Sequence, residues 1–287
     1  MRLPSIIKDR ALGELCWFGV GGPADYYSEA GTVEEACALV QWARERDVPL
    51  RVLGEGANVI VRDEGVRGMV IRLTGPCLTS TVIRGNRLEA GAGVKLSRAL
   101  ACAVHAGLEG LEMLSGIPAS IGGAVRCNAG GREGDIGQWV CHVEALDRNG
   151  KGVELDRSEI RFSYRESSLA DLVLTRVVFE LRPGDRQQAR RRMAKAIASK
   201  KASQPLGAAS GGCVFRNVRN ISSRILIERS GLAGMRIGRA AISPLHANFI
   251  VAEPGATASD VLQLIEHVKS TVRDRMHIDM PLEVEIW

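Results

Sequence analysis

Two glycine-rich stretches hold the residue types and spacings that could do chemistry in this chain. Residues 116–131 read GIPASIGGAVRCNAGG, with five glycines, one proline and one charged side chain. Such a run makes a poor helix or strand. Each glycine admits positive φ or close approach of the backbone to something else, a freedom that costs folding entropy. Concentrated in one place it fits a ligand cradle, with a tight crossover between packed strands as the alternative. Residues 54–58 read GEGAN and sit between β-type runs at 51–53 and 59–61. In a dinucleotide fold such a cluster opens a helix. Here Val-Ile-Val and Asp-Glu-Gly follow Asn58, which leaves no room for one. GEGAN is therefore expected to form a strand-loop-strand nest whose backbone N–H groups converge on an anion such as a pyrophosphate; an ordinary hairpin is the other reading.

The seven cysteines include no CxxC pair, so neither a disulfide framework nor a zinc site is indicated, and no metal is expected. Most of them read as small buried hydrophobes, Cys213 excepted. With 38 basic against 33 acidic residues, the net charge of +5 does not suggest a nucleic-acid protein and suits an anionic small molecule. No apolar run is long enough for a membrane span or a secretory signal. The chain is accordingly expected in the cytoplasm.

The elements that must position these loops can be read in order. The spacing of Val33, Ala36, Cys37, Val40 and Ala43 predicts a helix over 33–47. Short strands follow over 79–91, then a helix over 95–106 and strands over 140–147 and 171–181. Composition changes at Pro183-Gly184, where a strongly basic helical segment begins. The domain boundary is placed there, giving domains 1–182 and 183–287, with the C-terminal strand returning towards the ligand held by the first domain. A helix over 221–229, strands over 240–242 and 248–251, a helix over 259–276 capped by Ser259, and a closing strand complete an α+β chain.

In this order the residues carry a resemblance. FGVGGPAD, VLGEGANVIVRDEGVRGMVI, GLEGLEMLSGIPASIGGAVRCNAG, FSYRESSL, KKASQP, GGCVFRN, SGLAGMRIGRAAIS, HANFIV, ATASDVLQLI and LEVEI together resemble the bacterial UDP-N-acetylenolpyruvoylglucosamine reductase family over nearly the whole chain. The resemblance implies an FAD-binding domain of the vanillyl-alcohol-oxidase (PCMH) type, in two subdomains, followed by a smaller α+β substrate-binding domain. It implies reduction of UDP-N-acetylglucosamine enolpyruvate to UDP-N-acetylmuramate for peptidoglycan, with FAD as cofactor, NADPH as reductant and a monomer as the working form. Another FAD oxidoreductase on the same scaffold, or a non-catalytic flavin or UDP-sugar binder, remains as the alternative.

The same resemblance assigns residues. Arg165 would meet the substrate carboxylate as it gains enolate charge. Cys213 stands where the family most often has the serine that protonates the carbanion, and a thiol is the stronger acid. Glu283 would polarise the enolpyruvyl group, with Glu285 on the same face of the strand. FAD would be held by Gly54, Glu55, Gly56, Ala57, Asn58, Val59 and Ile60 around its pyrophosphate, and by Ile117, Pro118, Ser120, Ile121, Gly122, Gly123, Ala124 and Asn128 beside its flavin. Asn58 and Ser120 would supply hydrogen bonds. Tyr164, Lys201, Asn217 and His246 map to the substrate side. Two departures stand out: Val218 replaces a usual proline, and Arg132 replaces a frequent aromatic. The 47 residues between Arg165 and Cys213 contain no tyrosine, which implies the shorter form of the family, without the extra loop.

Overall fold

The computed structural model describes residues 3–131 and 133–287, so Arg132 lies outside the described residues. The chain divides into two compact units. The first comprises Met1–Lys8, Tyr26–Glu55 and Arg67–Ser199, the second Asp9–Asp25, Gly56–Val66 and Lys200–Trp287.

In the first unit, helix α1 (Val33–Glu45) starts where Thr32, in extended backbone, accepts a hydrogen bond from Glu35 N–H at 3.2 Å. Its buried stripe is Ala36, Leu39, Val40 and Ala43. Helix α2 (Leu96–His105) buries Leu96, Ala99, Leu100, Ala103 and Val104. These stripes share one core with Met69 and Ile71 of a four-stranded sheet and with Leu88, Val143, Val177 and Phe179 of a five-stranded one. The five-stranded sheet is antiparallel, in the order Gly152–Asp156, Val140–Leu146, Val173–Glu180, Arg87–Gly91, Thr81–Arg84. Val173–Glu180 is central, and its near-continuous apolar run is buried on both faces.

A short helix, α3 (Ile121–Arg126), lies inside the glycine stretch that read as a poor helix. It forms because Ser120 caps it, the Oγ accepting from Gly123 N–H at 3.2 Å, and because Ile121, Ala124 and Val125 enter the core. Helix α4 (Arg186–Ser203) is the basic segment read from sequence; only Ala189 along it is buried.

The second unit has its own core. Helices α5 (Ser223–Arg229) and α6 (Ala258–Met276) pack with a three-stranded antiparallel sheet, Arg236–Ile237, Ala240–Ile242 and Ile250–Ala252. Helix α6 is capped two residues earlier than Ser259 suggested: Thr257 Oγ1 accepts from Asp260 N–H at 3.1 Å and Asp260 Oδ2 accepts from Thr257 N–H at 3.2 Å. Ser259 N–H goes instead to Asp63 Oδ2 at 2.9 Å. The closing strand, Glu285–Ile286, pairs in parallel with Val59–Ile60. Phe18, Val20 and Ile60 belong to this core, so the two units do not follow a single boundary near Pro183: packing recruits early segments that local composition does not mark. Of the cysteines, none of which forms a disulfide among the described residues, only Cys16 is buried and Cys77 is exposed, contrary to the expectation that most are buried.

Candidate active site

In the first unit the glycine stretch is zipped onto the loop before α2. Leu96 N–H donates to Ala119 O, Ile121 N–H to Val94 O and Gly122 N–H to Ala92 O, each at 2.8 Å. Gly54 comes so close to this seam that an added Cβ would collide with Ser120 Oγ, the atom that caps α3. Between them opens a cleft lined by Leu53, Gly54, Glu55, Ser120 and Gly123, with Arg72 and Arg126 also in its wall. Glycine backbone and two guanidinium groups suit a diphosphate, so the residues present fit FAD. Glu55 is held by Lys95 at 3.4 Å. Ile121 and Ala124 direct their side chains into the core, leaving only their backbone for a ligand. Ile117 and Pro118 are half-buried. Sequence reasoning missed Arg72 and Arg126; the signal for Arg126 was that it is the one charge in the glycine stretch.

The Tyr-Arg pair forms the tip of a hairpin between Phe162–Ser163 and Glu166–Ser167. Tyr164 is half exposed, and the Arg165 guanidinium lies 5.1 Å from its ring centroid. Arg165 has φ +59° and its Nη2 donates to Gly130 O at 2.7 Å.

In the second unit GEGAN continues without a helix, as expected. Gly56 has φ +66°, and an added Cβ there would strike Leu15 O. Asn58 does not present its amide as a simple ligand donor: its Nδ2 donates to Glu283 O at 3.1 Å, and Asn58 O accepts from Glu285 N–H at 2.9 Å. Ala57 is half-buried; Val59 and Ile60 are buried in the strand that pairs with Glu285–Ile286.

Cys213 pairs with Phe249, Val214 N–H donates to Asn248 O at 2.8 Å, and Glu283 N–H donates to Val214 O at 2.8 Å. Cys213, Glu283 and the segment carrying His246 are thus joined by main-chain bonds within one unit. Asn248, which sequence reasoning passed over, locks the centre: Phe215 N–H donates to its Oδ1 at 2.9 Å and its Nδ2 to Phe215 O at 2.8 Å. His246 is half-buried, edge-on to Phe249 at 4.8 Å, and its buried Nδ1 has no hydrogen-bond partner among the described residues. Burial, with a smaller push from Arg224, lowers its pKa. Asn217 Oδ1 accepts from Ser223 N–H at 3.0 Å at the start of α5, and Lys201 is exposed in the last turn of α4. Glu285 accepts from Trp287 Nε1 at 3.3 Å.

Residues 24–156 match the family described as FAD binding domain, and residues 204–287 match UDP-N-acetylenolpyruvoylglucosamine reductase, C-terminal domain. The UDP-N-acetylenolpyruvoylglucosamine reductase of Pediococcus pentosaceus is 40% identical over 268 residues, covering 93% of this chain and 89% of that protein. This chain belongs to the UDP-N-acetylenolpyruvoylglucosamine reductase family. Within that reductase family, a relative from Symbiobacterium thermophilum is 38% identical over 100% of this chain and 96% of its own. The crystal structure of the reductase from Thermus caldophilus aligns with a TM-score of 0.84 at 37% identity, over 99% of this chain and 98% of that one. Cholesterol oxidase from Brevibacterium sterolicum, at 19% identity and a TM-score of 0.52 over 63% of this chain and 38% of its own, shares the fold. The expected α+β architecture with an FAD-binding domain of this type is the one found.

Proposed function

We propose that this chain reduces UDP-N-acetylglucosamine enolpyruvate to UDP-N-acetylmuramate, with FAD as bound cofactor and NADPH as reductant, supplying a precursor of peptidoglycan. The observation that carries this reading is the near-full-length likeness to named reductases, over 93% to 100% of the chain. The reading includes action as a monomer in the cytoplasm, where nucleotide sugars and NADPH are available.

When bound, the flavin supplies the hydride that adds to the terminal vinyl carbon of the enol ether. The remaining work belongs to this chain's side chains. Hydride addition leaves an electron pair on the carbon beside the substrate carboxylate, delocalised as an enolate. Arg165, a fixed cation with a planar fork, binds that carboxylate and is worth more as the enolate charge grows. Cys213 gives its Sγ proton to the carbanionic carbon, which completes addition of a hydride and a proton across the double bond; the thiolate is then reprotonated from solvent. Glu283 polarises the enolpyruvyl group. Gly54 to Ile60 and the 117–128 segment would hold FAD through their backbone, and Arg72 and Arg126, in the wall of the same cleft, would offer cations to its phosphates. Tyr164, Lys201, Asn217 and His246 hold the UDP-sugar.

The test is spectroscopic. NADPH added anaerobically to the purified protein should bleach the oxidised flavin bands, and the enolpyruvyl UDP-sugar should restore them. Bleaching without restoration would point to another FAD oxidoreductase, and bound FAD with no bleaching to a non-catalytic binder.

A further inference from the structure

Asn128 is expected to lie beside the flavin, yet its side chain is committed elsewhere. It is 2% exposed and holds a left-handed backbone at φ +43°. Its Nδ2 donates to Ser163 O at 2.7 Å, and its Oδ1 accepts from Gly137 N–H at 3.0 Å. Only one orientation of the amide satisfies a carbonyl on one side and an N–H on the other, so the network fixes which atom points where. Ser163 is the residue immediately before the Tyr164-Arg165 tip. Two more bonds join the same two segments: Ser167 Oγ donates to Arg126 O and Arg165 Nη2 to Gly130 O, both at 2.7 Å. The five-residue run from Arg126 to Gly130 therefore grips the hairpin before the tip, after it, and at the guanidinium itself.

We propose that Asn128 is a positioning residue for Arg165: the segment that follows α3 is a clamp that sets where the guanidinium stands. This rests on the reading that Arg165 meets the substrate carboxylate. The left-handed φ explains why the anchor is an asparagine, since Asn tolerates that backbone and its amide can still reach Ser163. A hairpin joined by only two residue pairs is too short to hold a long side chain on its own. The clamp supplies that restraint and links the glycine stretch of the cofactor cleft to the residue that reads the substrate.

The test uses Asn128→Gly, which keeps the positive φ accessible and deletes only the amide. Flavin reoxidation by the enolpyruvyl UDP-sugar should slow about 10- to 100-fold, the scale of a misplaced reacting group, while FAD stays bound at wild-type stoichiometry. Amide exchange over residues 162–168 in the FAD-loaded protein should quicken. Made on top of Arg165→Ala, Asn128→Gly should cause no further slowing, because it acts through the missing side chain. Additive losses in the double variant, or loss of FAD from Asn128→Gly, would overturn the positioning role and return Asn128 to the cofactor. Unchanged reoxidation in Arg165→Ala alone would instead sink the role given to Arg165. If Asn128→Gly does not fold, Ser167→Ala removes another arm of the same clamp and is read in the same double-variant comparison.

Discussion

As the proposed proton donor, Cys213 would put a sulfur where the resemblance leads one to expect a hydroxyl, and proton transfer to carbon depends on the acidity of that group. An unperturbed thiol titrates near pH 8.5, many units below an alcohol. Cys213→Ser should keep turnover within about tenfold of the parent, whereas Cys213→Ala should lose about 100-fold or more in flavin reoxidation by substrate; equal rates in the Ala variant and parent would remove Cys213 from the chemistry. His246 carries a separate expectation. Burial lowers its pKa, so below the unfolded value of about 6.5 the unfolded chain binds the proton more readily than the folded one. The corresponding stability is fully present above that pH and is lost as pH falls through the lowered folded value. A melting-temperature profile over pH should show this loss in the parent and a weaker one in His246→Gln. Motif order made Arg165, Cys213 and Glu283 readable as candidates for one set of roles. The asparagines were not, because an amide in a glycine-rich loop serves a ligand and a main-chain carbonyl equally well, and sequence does not say which lies within reach.

Helices and strands were readable wherever an apolar period ran long enough, as in α1, α2 and α6. What escaped was set by contacts distant in sequence. Helix α3 has six residues, two of them glycine, and exists because Ser120 caps it beside Gly54. Gly54→Ala should drive Ser120 Oγ off Gly123 N–H, lowering the melting temperature and the FAD content together; a variant that keeps both would show that the seam is slack. Ser120→Ala, which removes the cap without a collision, should lose about 1 kcal/mol in a denaturant titration. The start of α6 was misplaced because Thr257, Ser259 and Asp260 are all competent at a helix N-terminus. The choice fell to Thr257 because Asp260 closes a reciprocal pair with it, while Asp63 engages the N–H groups of Ala258 and Ser259.

Across the whole molecule, a chain cut at 182/183 would leave the later piece without Phe18, Val20 and Ile60, three members of its unit's core, and without the strand that pairs with Glu285–Ile286. Residues 183–287 expressed alone should therefore show no cooperative melting transition, while the intact chain shows one. A sharp transition in the fragment would mean that the recruited segments are dispensable. Asp63→Ala should weaken the second unit, since it strips two N–H groups of α6 of their acceptor.

The bond between Asp63 and Ala258 spans 195 positions of chain. On the ribosome, Val59, Ile60 and Val61 emerge long before the helix and terminal strand of their unit have been made, and an apolar strand awaiting its mates can pair with the wrong neighbour. Slow translation or scarce chaperones should thus show first as aggregates of unfinished chains.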